Sequence, residues 1–193
     1  RNFANTKRRV ADPSDMKGAI AAFPDQIKQS FLIMKNWKPR KEYSNIQSIL
    51  VLGMGGSAIG GDVARVIAQN SCSIPIIVNR SYNIPQWVDS QTLVLVSSYN
   101  GGTEETLSAF AQCRNRHCPI IVLSTGGKIT EHADEYRLDR VTIPTGLQPR
   151  AALGYSFSLI SLILNRLKFV QDEVVRLVYN SIEAIELLAK ELK

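Results

Sequence analysis

The stretch Leu93-Val94-Leu95-Val96-Ser97-Ser98-Tyr99-Asn100-Gly101-Gly102-Thr103-Glu104-Glu105-Thr106 joins an apolar run to a turn rich in hydroxyls and glycine, and then to a segment opening with acids. Read as strand, turn and helix, it is a place to hold an anion. The first N–H groups of a helix have no partner in the helix, and they sit at the positive end of the peptide dipole. A glycine-rich turn entering a helix therefore attracts phosphate without needing a lysine. A second junction of the same kind lies upstream, Leu52-Gly53-Met54-Gly55-Gly56-Ser57-Ala58-Ile59-Gly60-Gly61. Two such cradles in one chain point to a phosphorylated ligand.

Working outward, the runs Ile49–Leu52, Ile74–Val78, Leu93–Val96 and Ile120–Leu123 are short, rich in Val and Ile, and free of alternation. Such strands are expected to be buried on both faces of a parallel sheet. Val141–Ile143 is a candidate fifth strand. Helical patterns fall at 24–37, 58–69, 103–116 and 127–134, with a short helix expected within 83–89. Two long helical patterns, 151–168 and 172–192, follow Pro149 with no strand between them. Strand and helix alternate through the middle of the chain, which predicts an α/β fold, a three-layer α/β/α sandwich. In the flavodoxin-like order 2-1-3-4-5, the first and third strands of the five-stranded parallel sheet are neighbours. Both glycine loops then open into one crevice.

The chain has 193 residues, 45% apolar and 21% charged, enough for one well-buried core. Residues 1–23 are expected to be a tail and lead-in, with Arg1, Lys7, Arg8 and Arg9 solvated, and 24–193 a single domain. The first residue is Arg1 and not Met, so this terminus is expected to have been cleaved, trimmed or cut out of something longer. Cys72, Cys113 and Cys118 are odd in number and lack metal-ligand spacing, so neither a disulfide framework nor a zinc site is expected. A reducing cytoplasm fits best. No apolar stretch reaches the roughly 18 residues that span a bilayer, and neither membrane nor nucleic-acid partners are expected. In the last helix Val174, Val178, Ile182, Ile185, Leu188 and Leu192 form an apolar stripe, for packing on its own domain or on a partner.

Other readings of the glycine loops lack parts. A nucleotide P-loop ends in Gly-Lys-Ser/Thr, whereas Gly60-Gly61-Asp62 stands here. A dinucleotide fingerprint is partly met by Gly53, Gly55 and Ala58, but Asn79-Arg80 replaces the acid expected after the second strand, leaving only an NADP reading open. A phosphosugar site needs the second hydroxyl loop and a dinucleotide site does not. Ser57, Ser98 and Thr103 are thus candidate phosphate ligands, with Ser97 turned toward the sheet. Glu104 and Glu105 are read as first-turn acids favoured by the dipole, and His117 and His132 as surface residues.

Gly55-Gly56-Ser57 followed by Ser98-Tyr99-Asn100-Gly101-Gly102-Thr103-Glu104-Glu105-Thr106 resembles the sugar isomerase (SIS) domain. Pro149-Arg150-Ala151-Ala152-Leu153 and Ser124-Thr125-Gly126-Gly127 narrow the resemblance to the bifunctional phosphoglucose/phosphomannose isomerases. It covers roughly residues 25–170. The resemblance implies interconversion of glucose 6-phosphate or mannose 6-phosphate with fructose 6-phosphate through a cis-enediol, with no cofactor and no metal. Gly55, Gly56, Ser57, Ser98, Asn100 and Thr103 would bind substrate, and Arg150 would be the catalytic cation facing the enediolate. Asn100 stands where related loops carry a second serine, and its amide can still donate. The family's catalytic glutamate, histidine and lysine belong to a second SIS domain and the C-terminal end. The resemblance therefore implies the amino-terminal half of such an enzyme, inactive alone, as a homodimer or paired with a second SIS domain. The competing expectation is a stand-alone phosphosugar-sensing module.

Overall fold

The computed structural model describes residues 15–191. Five parallel strands, β1 (Ser48–Leu52), β2 (Ile76–Asn79), β3 (Thr92–Ser97), β4 (Ile120–Ser124) and β5 (Asp139–Thr142), form one sheet in the order β2-β1-β3-β4-β5. The helices are α1 (Met16–Ala21), α2 (Phe23–Asn36), α3 (Gly55–Ala68), α4 (Glu104–Asn115), α5 (Gly127–Glu135), α6 (Leu153–Arg166) and α7 (Asp172–Glu191), with a 3-10 turn at Pro149–Ala151 before α6. This is the expected three-layer α/β fold and strand order.

Successive residues of a strand face opposite sides of the sheet, and the core divides accordingly. Ile49, Val51, Leu93, Leu95, Ile121 and Leu123 pack with Ala64 of α3 and with Tyr155, Leu159, Ile160 and Ile163 of α6. Leu50, Leu52, Val94, Val96, Ile120 and Val122 pack with Ala109, Phe110 and Cys113 of α4 and with Ile129 and Ala133 of α5. A smaller cluster of Ile27, Phe157, Val178 and Ile182 joins α2, α6 and α7. The start of the α7 stripe thus packs within its own domain, while Leu188 remains exposed. Leu192 lies outside the described residues, as does the basic tail.

Several boundaries differ from the sequence pattern. Residues expected as lead-in contain the short helix α1, capped by the Asp15 carboxylate, which accepts from the Gly18 N–H at 3.2 Å. β2 begins two residues late, after Pro75, and it is an edge strand with Ile77 exposed rather than a strand buried on both faces. β5 begins at Asp139 and ends before Ile143. No helix forms within 83–89. There the Arg116 guanidinium donates to the carbonyls of Pro85, Gln86 and Val88 at 2.8, 3.2 and 2.9 Å, taking the place of helical partners. The long pattern from 151 breaks at Ala152, which leaves the helical region (φ −92°, ψ 21°) between the 3-10 turn and α6.

Candidate phosphosugar site

The carboxyl ends of β1 and β3 lie side by side, with Leu52 in register with Val96. Each strand runs directly into one glycine loop. Met54 stays extended (φ −125°, ψ 157°), Gly55 turns at φ 50°, and α3 starts with no side-chain cap. Neither α4, preceded by Thr103, nor α5, preceded by Gly126, has a side-chain cap. Capping is the usual fate of such N–H groups, so the starts of α3 and α4 keep donors available to an anion, whereas α5 gives its Ile129 N–H to the Gly101 carbonyl.

The second loop is held closed. The Ser98 hydroxyl donates to Thr103 Oγ1 at 3.5 Å, bringing both hydroxyls together across the turn. Ser98 and Ser57 are buried and Thr103 is half-buried, while Asn100 is exposed. Behind the turn, the Thr125 N–H and hydroxyl both donate to the Tyr99 carbonyl, at 2.9 and 2.8 Å. The Ile129 N–H donates to the Gly101 carbonyl at 2.9 Å. Gly101 has φ 67°, and a Cβ there would stand 1.8 Å from the Gly126 carbonyl oxygen, so only glycine allows the two loops to meet. The Ser124-Thr125-Gly126-Gly127 element is thus the clamp on the Ser98–Thr103 turn.

The Pro149-Arg150 turn reaches the same edge. A Cβ on Gly56 would lie 2.9 Å from the Pro149 carbonyl oxygen and 3.2 Å from the Arg150 Cα, so the first turn of α3 rests directly against this segment. Two residues that the sequence reasoning did not single out for a role fix its place. Gln26, buried in α2, donates from Nε2 to the Ala151 carbonyl at 2.7 Å. The Tyr99 hydroxyl donates to the Pro144 carbonyl at 2.9 Å and accepts from the Leu147 N–H at 3.0 Å. Tyr99 stands between Ser98 and Asn100, which ties the hydroxyl turn to the arginine segment. A glutamine among the apolar positions of α2 was the available signal. Arg150 is exposed and has no ion pair or side-chain hydrogen bond among the described residues.

Other candidates fall elsewhere. Ser97 is buried with its Oγ unpartnered, as is Thr106 Oγ1. Glu105 first, and Glu104 beside it, push the exposed Tyr82 phenol above its ordinary pKa, so these acids face Tyr82. His132 stacks on Phe110 and Tyr136, and His117 sits in left-handed geometry after α4. Arg80, the residue an NADP site would use, is ion-paired with Asp62. A cleft of about 520 Å³ between residues 39–44 and 166–168 includes none of the motif residues. Among the described residues, no group of three or more His, Cys, Asp or Glu side chains is placed to hold a metal, and no helix is long and apolar enough to cross a membrane.

No family model matches the chain. A bifunctional phosphoglucose/phosphomannose isomerase of Caldicellulosiruptor bescii is 46% identical over 153 residues, 79% of this chain and 45% of that protein. The chain is a homologue of the bifunctional phosphoglucose/phosphomannose isomerases. A second member of that family, from Aquifex aeolicus, is 32% identical over 170 residues, 87% of this chain and 52% of that protein. The chain thus spans about half the length of the curated isomerases it matches. Its fold is the SIS fold. The C-terminal domain of glucosamine-fructose-6-phosphate aminotransferase from Francisella tularensis superposes with a TM-score of 0.66 at 12% identity, covering 91% of this chain and 53% of that one. A protein from Thermus thermophilus gives 0.63 at 18% identity, covering 92% and 45%. At these identities the two superpositions speak to the fold alone. The relatives favour neither the NADP reading nor the stand-alone sensor.

Proposed function

We propose that this chain is the amino-terminal SIS domain of an aldose-ketose isomerase that interconverts glucose 6-phosphate or mannose 6-phosphate with fructose 6-phosphate. The observation that carries the proposal is the meeting, at one edge of the sheet, of uncapped helix starts, the Ser98–Thr103 hydroxyl pair and the Pro149-Arg150 segment. Residues 24–193 form this domain, with 1–23 as its lead-in.

In this scheme the N–H groups of Gly55 and Gly56, with the side chains of Ser57, Ser98, Asn100 and Thr103, take the phosphate. Anchoring that charge places the sugar's C1–C2 end toward Arg150. Isomerisation moves a proton between C2 and C1 through a cis-enediol, with negative charge developing on the adjoining oxygens. A guanidinium stays protonated at any working pH and presents a planar set of donors to such an oxyanion. The base and the ring-opening acid come from a second SIS domain, and the assembled enzyme is a dimer.

Calorimetric titration with fructose 6-phosphate tests the anchor. Ser98→Ala and Thr103→Ala each weaken binding by about 1–3 kcal/mol, the range for leaving a charge-assisted bond unmade. Unchanged affinity in both variants rejects the loop as the anchor. Rapid isomerase turnover by residues 1–193 alone rejects the division of labour between two domains.

A further inference from the structure

Cys113 and Cys118 stand at the two ends of the turn that closes α4. Arg116 caps the helix and His117 follows in left-handed conformation at φ 57°. The Cys118 N–H donates to the Cys113 carbonyl at 3.1 Å, and the His117 N–H to the Arg114 carbonyl at 2.9 Å. These paired bonds define a Schellman motif, which commonly brings the side chains of its two outer residues into contact. Here both outer residues are cysteines. Both are buried in the core layer that α4 and α5 form over the sheet, and both are free thiols.

The environment distinguishes the two sulfurs. The Cys118 thiol donates to the Asp89 carbonyl at 3.0 Å. Its hydrogen bond with Cys113 holds it below the ordinary thiol pKa and Arg116 adds to that effect, against burial and Asp89. The same contact, with burial, pushes Cys113 up. Cys118 keeps 8% of its surface exposed and Cys113 none, so the more acidic thiol is also the one that a small reagent can reach. A disulfide needs its Cα atoms roughly 4.4–6.8 Å apart, and the Cys118 N–H bond to the Cys113 carbonyl draws the two backbones together across one closed turn.

We infer that Cys113 and Cys118 form a reversible dithiol–disulfide site whose oxidant is a peroxide. The Cys118 thiolate attacks one peroxide oxygen, the O–O bond breaks, and Cys118 becomes a sulfenic acid as the leaving oxygen takes up a proton. The Cys113 sulfur then attacks the Cys118 sulfur and displaces hydroxide, which leaves as water with the Cys113 proton. Two sulfur electrons end in the broken O–O bond, so two thiols and hydrogen peroxide give one disulfide and two waters. The bond staples the end of α4 to the start of β4. The phosphate loop enters α4 at its opposite end, so oxidation leaves phosphosugar binding in place.

The test treats the folded chain with stoichiometric hydrogen peroxide, quenches with catalase, and denatures in N-ethylmaleimide. The reduced chain takes a maleimide on each of its three cysteines. The oxidised chain is expected to take a maleimide only on Cys72, to weigh about 2 Da less before labelling, and to yield a linked peptide pair containing Cys113 and Cys118. Dithiothreitol restores full labelling, and Cys118→Ser abolishes the mass loss. Full labelling after oxidation, sulfinic acid on Cys118 without a cross-link, or a bond to Cys72 instead would each overturn the inference.

Discussion

Replacing Gly101 by alanine is expected to unfasten the Ser98–Thr103 turn from its clamp. At φ 67° an L side chain costs about 1 kcal/mol or more. The larger effect is steric. The new Cβ would stand 1.8 Å from the Gly126 carbonyl oxygen and 2.9 Å from Ser124 Oγ, and the first of these atoms is backbone and cannot rotate away. The loops must separate. Separation threatens the two Thr125 bonds to the Tyr99 carbonyl and the Ile129 bond to the Gly101 carbonyl, each worth about 1 kcal/mol net. Strain and lost bonds together give a destabilisation of about 4 kcal/mol, in the exceptional range for one substitution. With a urea slope of about 2 kcal/mol per molar, the unfolding midpoint falls by about 2 M. Gly102→Ala is the internal control, since a Cβ there meets nothing within 4 Å and the backbone is not left-handed. It should lie within about 0.5 kcal/mol of the parent chain, as surface substitutions do. A Gly101→Ala midpoint within experimental error of the parent, or equal losses in both variants, would refute the claim that loop-to-loop packing requires this glycine.

Three further outcomes are expected. Tyr99→Phe removes a buried hydroxyl that both donates to Pro144 and accepts from Leu147, lowering stability by about 1–3 kcal/mol in the same urea assay; no change would show that the 144–147 segment is fixed by other contacts. Arg150→Lys in the intact isomerase should lower kcat by roughly 10²-fold while sparing phosphate binding, whereas equal losses in both would place Arg150 at the phosphate. Burial first, and then the Asp139 carboxylate that accepts its hydroxyl, raise Tyr43 far above the ordinary tyrosine pKa of about 10. Its contribution is therefore complete below pH ~10 and is lost above it, as the unfolded chain releases a proton that the folded chain keeps, at up to about 1.4 kcal/mol per pH unit. Tyr43→Phe should flatten that alkaline limb in unfolding measurements between about pH 10 and 11, and an unaltered slope would contradict the assignment.

The sheet was legible because β1, β3 and β4 are runs of Ile, Val and Leu with no polar face, a pattern that only a strand covered on both sides satisfies. β2 misled in proportion to its exposure. At the edge of the sheet, burial no longer selects residues, and Pro75 set the boundary by lacking an N–H. The segment 83–89 misled for a different reason, because its carbonyls are satisfied by Arg116 from a distant helix end. The hydroxyl turn was visible since glycines and serines between a strand and a helix have few structural uses. Gln26 and Tyr99 were not visible as positioning residues, because a buried glutamine in α2 and a tyrosine in a loop acquire that role only through carbonyls far away in the chain.

By itself, then, the sequence determined the α/β alternation and the two glycine-rich strand-to-helix junctions, consequences of local periodicity and backbone chemistry that act within a few residues, while the likeness to phosphosugar isomerases rested on the resemblance of its motifs. The tertiary structure alone decided that Gly56 meets Pro149 and Arg150 and that Gly101 meets Gly126. Those juxtapositions depend on how helices of fixed length pack on a twisted sheet, and no spacing along the chain encodes the result.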